Sequence, residues 1–174
     1  MGVDVLNPTK ILSAAGVTEK TVIADFGCGP GIFALPAAQM TRAKVYCFDI
    51  LPTAVEALES KARTMHIVNV HARRVNLEAP GATQLSEHST DLVIMRKILC
   101  QGQDNSKLFA EAARILRADG AVLVIGWAPE AVIGPPVDAR LRAEEIAQTA
   151  QDAGFARIEE LPCDDQHFAV LIRK

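Results

Sequence analysis

A chain of 174 residues is the size of one domain and is long enough to bury a continuous core. Hydrophobic residues make up 49% and charged residues 22%, which excludes a disordered composition. A formal net charge of -3 and a pI near 5.8 leave no global basic field for nucleic acid or an anionic membrane, although a local patch fits the same totals.

In chain order, the opening MGVDVLNPTKILSAAGV lacks the basic start and uninterrupted apolar core of a signal peptide. No apolar run approaches the roughly 20 residues that span a bilayer, so a cytoplasmic protein is expected. TVIADF (21–26) reads as the first strand, and IFALPAAQM has helical apolar spacing with Pro36 near its start. AKVYCFDI (43–50) is a second strand and PTAVEALESKARTM (52–65) a helix opened by Pro52. NVHARRV (69–75) and TDLVIMR (90–96) are the third and fourth strands. DNSKLFAEAARILRA (104–118) reads as a helix that stops at Asp119 and Gly120, since glycine commonly ends helices.

AVLVIGW (121–127) is almost wholly apolar, as expected of a strand covered on both faces. A loop with three prolines follows (128–140), then a helix LRAEEIAQTAQDAG (141–154) and two strands, ARIEELP and HFAVLIRK. Strands alternating with helices predict a parallel α/β sheet, and no repeat or linker divides residues 1–174 into more than one domain. Cys28, Cys47, Cys100 and Cys163 are scattered, without a CxxC pair or a Cys/His cluster at ligand spacing. Free or buried thiols, and no metal site, are expected.

The stretch VIADFGCGPGIFA places Gly27, Gly29 and Gly31 at alternate positions between a strand and a helix. That is where an open α/β sheet binds its ligand, and a helix N-terminus there supplies free N–H groups. Asp49 ends the second strand about 20 residues on, in position to accept from two ribose hydroxyls. A ribose-containing ligand follows. A dinucleotide fits poorly: Ile32 stands where GxGxxG needs its last glycine, and Asp25 puts negative charge near the path of a pyrophosphate.

These residues resemble the class I S-adenosylmethionine-dependent methyltransferases, whose first motif is an acid followed by GxGxG. The motif here is Asp25, Phe26, Gly27, Cys28, Gly29, Pro30, Gly31. AKVYCFDI resembles the family's ribose-binding strand, RRVNLEAP its adenine-side segment, and ILRADGAVLVIGW its helix, glycine turn and fifth strand. The resemblance covers nearly the whole chain. It implies a Rossmann-like, doubly wound, mostly parallel sheet of seven strands with an antiparallel C-terminal strand and helices on both faces. It also implies S-adenosylmethionine as cofactor and S-adenosylhomocysteine as product.

Carried over by position, the resemblance gives the loop of Gly27, Cys28, Gly29, Pro30 and Gly31, behind Asp25, to the methionine part of the cofactor and Asp49 to its ribose. Ile50 is expected against adenine, with Asn76 accepting from the adenine amino group and Leu77 offering its N–H; a turn-forming Asn76 is the alternative. Arg96, at the end of the fourth strand, is counted on the cofactor side, and Lys97 on the acceptor side; solvated charge is the alternative for both.

Methyl transfer needs chiefly alignment, so no catalytic triad is required. The chain lacks the Asn/Asp-Pro-Pro-aromatic motif of family members that methylate nucleobase or amide nitrogens, having Met95, Arg96, Lys97 and Ile98 there. Cys100 stands where small-molecule relatives often carry a histidine. After the fifth strand, Trp127, Pro135 and Arg140 are candidate acceptor-binding residues, with Arg140 free to meet an anion or else an ordinary loop arginine. His71, His88 and His167 read as non-catalytic surface or strand-end residues. The expected activity is methyl transfer to a small molecule, with no nucleic acid or membrane partner and a homodimer proposed from the absence of a lid insertion. The alternative is a cofactor-binding protein without catalysis, since fold alone does not establish function.

Overall fold

The apolar runs become strands because each pairs with a neighbour while both its faces are covered. In the computed structural model, which describes residues 6–99 and 104–174, they are β1 (Ile23–Phe26), β2 (Val45–Asp49), β3 (Val70–Arg74), β4 (Thr90–Arg96), β5 (Leu116–Trp127), β6 (Arg157–Leu161) and β7 (His167–Arg173). They form one sheet in the order β3-β2-β1-β4-β5-β7-β6. The first five pair in parallel, and β7 runs antiparallel to both β5 and β6. The expected Rossmann-like architecture, with its antiparallel C-terminal strand, is the one observed.

Five α-helices accompany the sheet among the described residues: α1 (Pro8–Ala14), α2 (Ala34–Met40), α3 (Pro52–Thr64), α4 (Ser106–Ile115) and α5 (Ala143–Asp152). Alternation along the central strands divides the core in two. Ile23, Cys47, Ile94, Leu123 and Ile125 pack with α1, α2 and α3, whereas Ala24, Phe26, Val93, Met95 and Val124 pack with α4 and α5. None of the helices is long and apolar enough to cross a membrane.

Two elements depart from the sequence expectation. The helix α1 was hidden because it is only two turns long; Asn7 caps it by accepting from the Lys10 N–H at 3.1 Å, and Pro8 occupies its first turn. The helix α4 ends at Ile115, ahead of the expected glycine stop. The Ile115 carbonyl accepts from the Ser89 N–H (2.8 Å) and the Thr90 hydroxyl (3.0 Å), while Leu116 turns extended and pairs with Thr90. Strand pairing overrides helix periodicity there. Gly120 instead permits close packing, since a Cβ would lie 3.0 Å from the Arg117 carbonyl oxygen and 3.1 Å from that of Asp91.

The parallel strands all finish on one edge of the sheet, at Phe26, Asp49, Arg74, Arg96 and Trp127. The antiparallel β7 begins on that same edge, His167 pairing with Trp127. Residues remote in sequence thus converge there.

Candidate functional site

The glycine turn leaves β1 and is anchored on β2: the N–H groups of Gly27 and Cys28 both donate to the Phe48 carbonyl, at 2.8 and 3.1 Å. Its three glycines have positive φ but different surroundings. A Cβ on Gly27 would meet Ile98, and one on Gly31 would overlap Leu58 and press on Leu35. At Gly29, with φ of 51°, nothing lies within 4 Å of that position. The backbone there is open to a ligand, whereas its neighbours are bare for the chain's own packing. The Pro30 carbonyl accepts from Lys61 Nζ at 3.2 Å, which fastens the turn to α3.

Asp49 closes the turn from the other side. One carboxylate oxygen accepts from the Gly29 N–H (2.8 Å) and the other from the Leu51 N–H (2.9 Å). Each oxygen retains a lone pair for another donor. Asp25 is buried beneath the turn, and burial raises its carboxyl to about 7; the Arg96 charge opposes this, the Asp49 charge adds to it, and a hydrogen bond from the Ala34 backbone opposes it again. Cys28 and Cys47 are buried free thiols, Cys163 is a half-buried one, and Cys100 lies outside the described residues.

A crevice of about 370 Å³ opens at this edge, lined in part by Gly27, Asp49, Ile50, Asn76, Leu77 and Arg96. Ile50 is 55% exposed on its wall, an apolar surface with no protein cover. Leu77 is buried. Asn76 Oδ1 accepts from the Glu78 N–H at 3.0 Å, so the turn-forming alternative describes its carbonyl oxygen. Arg96 is half-buried and not the solvated charge of the alternative reading: its Nε is shielded and has no hydrogen-bond partner. Burial pushes its guanidinium below the usual range, countered by Asp25.

A second cavity, about 330 Å³, lies beside the crevice under the loop after β5, with Met95, Lys97, Leu99, Trp127, Pro135 and Phe168 among its walls. Lys97 borders both cavities. Its φ of 56° is unusual for a side chain with a Cβ, and its N–H donates to the Ile125 carbonyl at 2.9 Å. Its Nζ rests 3.4 Å from the centre of the Trp127 ring. Burial, followed by the Arg96 charge, lowers this amine to about 8, with Asp164 opposing. Arg140 also lines this second cavity, with its guanidinium engaged by the loop instead of extended toward an anion. It is buried, and its guanidinium donates to the carbonyls of Pro135, Ala128, Pro129 and Ile133 at 2.9 to 3.2 Å, so it organises the loop from within.

The sequence reading missed one constellation. His167 stacks on Trp127, ring centres 4.6 Å apart, and its Nδ1 lies 2.8 Å from Asp164 Oδ1. The two side chains are only 8% and 3% exposed, and His167 Nε2 is buried without a partner. An aspartate three residues before a histidine that opens a strand was the available signal. His71 lies in β3 with its ring tilted against Tyr46, and His88 Nδ1 meets the Leu116 carbonyl at 3.0 Å; neither faces the crevice lining.

A family profile described as "Methyltransferase domain" matches residues 24–124, more than half of the chain. Ribosomal protein L11 methyltransferase from Escherichia coli O8 (strain IAI1) is 37% identical over 83 residues, 48% of this chain and 26% of that protein. Ribosomal RNA large subunit methyltransferase G from Aliivibrio salmonicida is 31% identical over 115 residues, 62% of this chain and 29% of that protein. The chain therefore spans less than a third of the length of these curated relatives. Among solved structures, a SAM dependent methyltransferase from Aquifex aeolicus superposes with a TM-score of 0.84 at 22% identity, covering 96% of this chain and 89% of that one, a likeness of fold.

Proposed function

The chain belongs to the methyltransferase domain family, among the class I S-adenosylmethionine-dependent enzymes, and from that membership we propose that its acceptor is a small molecule bound beside Lys97 and Trp127. The observation that carries the site assignment is the open backbone at Gly29 facing the Asp49 carboxylate. S-adenosylmethionine supplies a methyl group already activated on a sulfonium. The residues present fit such a cofactor: a bare turn for its amino-acid end, a carboxylate with lone pairs left for ribose hydroxyls, and Ile50 exposed for a flat apolar base.

In this reading Asp25, Cys28 and Pro30 shape the Gly27–Gly31 turn, Asp49 orients the ribose, and Ile50, Asn76 and Leu77 border the adenine. Arg96 stands between this crevice and the acceptor. Lys97, Trp127 and Pro135 then hold the acceptor in the adjoining cavity, and alignment of its nucleophile with the methyl group supplies several kcal/mol of the rate. A cavity of about 330 Å³ has the size of a small-molecule site, and a net charge of -3 offers no general attraction for RNA.

The printed names of the relatives, a ribosomal protein and a ribosomal RNA methyltransferase, favour a second reading with a macromolecular acceptor. Incubating the protein with methyl-labelled S-adenosylmethionine and a size-fractionated cell extract separates them. Label in the low-mass fraction supports the small-molecule reading; label confined to protein or RNA overturns it.

A further inference from the structure

The cofactor assignment leaves Asp164 and His167 without a task. They are built as a working pair: the carboxylate holds Nδ1 at 2.8 Å, Trp127 fixes the ring plane, and both side chains are more than nine-tenths buried. A buried polar atom left without a partner costs about 1–3 kcal/mol, so each one calls for a water, an ion, a ligand or a catalytic role to account for it. Two occur among the described residues, Arg96 Nε and His167 Nε2. One is a donor and the other an acceptor when Nδ1 carries the proton toward Asp164. Sheet alternation puts Asp25, Arg96, Trp127 and His167 on one face, at the edge where Arg96 lines the crevice.

We propose that His167, oriented by Asp164, accepts the proton of the methyl acceptor, whose nucleophile is therefore a heteroatom that carries both a lone pair and a proton: a hydroxyl, a thiol or a neutral amine. This rests on the methyltransferase reading above. As the heteroatom forms its bond to the methyl carbon, the carbon–sulfur bond breaks with its electron pair going to sulfur, and the heteroatom's proton passes to His167 Nε2. The imidazolium so formed is paired with the Asp164 carboxylate and later returns its proton to water. Lys97 and Trp127 border the acceptor cavity and His167 packs against the Trp127 ring without being among the residues that line either cavity, so Nε2 meets the acceptor only once these side chains shift.

The charged groups facing the imidazole are Asp164 from the turn before β7 and Lys97 and Arg96 from the end of β4. Burial, then the two cations, push it below the ordinary histidine value, and Asp164 pulls the other way. That balance favours the neutral imidazole, the form able to accept a proton.

The test compares wild type, His167→Gln, His167→Gly and Asp164→Asn in transfer of labelled methyl to the acceptor fraction of a cell extract, with S-adenosylhomocysteine affinity measured on each. His167→Gln is expected to slow transfer by about 100-fold or more at pH 7 while leaving affinity and the thermal transition near wild type. Free imidazole should restore part of the activity of His167→Gly. Asp164→Asn should slow transfer by about tenfold and move the acid limb of the pH–rate profile to lower pH. Transfer by His167→Gln within about threefold of wild type, or a loss matched by lost cofactor affinity, overturns the proton-acceptor role alone. A wild type that moves no label into any fraction overturns the methyltransferase reading as well.

Discussion

The Asp49 carboxylate accepts a hydrogen bond from the Gly29 N–H at 2.8 Å, so the residue assigned to a ribose also sets the shape of the glycine turn. Asp49→Ala removes both contributions. Its affinity for S-adenosylhomocysteine should fall by about 1.5 to 3 kcal/mol, as for lost hydrogen bonds to a charged group. The thermal midpoint should fall by a few degrees because the Gly29 and Leu51 N–H groups lose their acceptor. Calorimetry on the folded variant checks this; an unchanged affinity returns Asp49 to a turn role.

The glycines should separate by substitution. Gly31→Ala drives a methyl into Leu58 and Leu35 at a left-handed φ and should destabilise by more than about 2 kcal/mol. Gly29→Ala meets no protein atom, so only the φ penalty of about 1 kcal/mol applies to folding. Gly29→Val should nonetheless abolish S-adenosylhomocysteine binding with its unfolding still cooperative. Affinity and unfolding read on one sample decide the matter, and a destabilised Gly29→Val with normal affinity removes the cofactor contact.

Asp25 gives the cofactor-free protein a pH signature. Its folded pKa, about 7, lies above the ordinary 3.8, so its contribution is fully present below 3.8 and is lost as pH rises through 7. Asp25→Asn does not titrate, and its amide oxygen can still accept from Ala34. Relative to wild type the variant should therefore gain stability across that window, by up to about 4 kcal/mol. Urea unfolding at pH 5 and pH 8 tests it; parallel stability curves would show that Asp25 ionises without penalty.

Trp127 is the only tryptophan in the chain, which makes its emission a site-specific reporter. With the Lys97 amine depressed to about 8, the ammonium lies on the indole below that pH and the neutral amine above it. Emission should change with a midpoint near 8, and Lys97→Met should remove that step while leaving any His167 titration at lower pH. A midpoint above 10 would mean that Lys97 is solvated.

Much of this site is legible in sequence because it depends on backbone. Gly27 to Gly31 and Asp49 are dictated by a turn conformation and a strand end, and both constraints act within a few residues. Arg140 and His167 are different. Nothing local distinguishes an arginine that binds an anion from one surrounded by four carbonyls of its own loop, because the loop's path decides. The pairing of His167 with Trp127 across 40 positions arises from the antiparallel placement of β7, which apolar alternation in HFAVLIRK does not specify. The early end of α4 has the same origin, a carbonyl captured by Ser89 and Thr90 from another strand.

The placement of β7 between β5 and β6 also sets an order of assembly during synthesis. The strand β6 emerges from the ribosome first, yet its sheet neighbour is β7 alone, so it has no edge to join until β7 arrives. Meanwhile β5 exposes an unpaired, apolar margin of the kind that recruits foreign strands, and chaperone protection matters most at that stage. The cofactor crevice, built from the ends of β1, β2, β3 and β4 and the start of α4, uses only segments made before β6 and β7. The stack of His167 on Trp127 needs β7 itself, so a nascent chain has the residues for its methyl donor before it has the one that draws a proton from an acceptor.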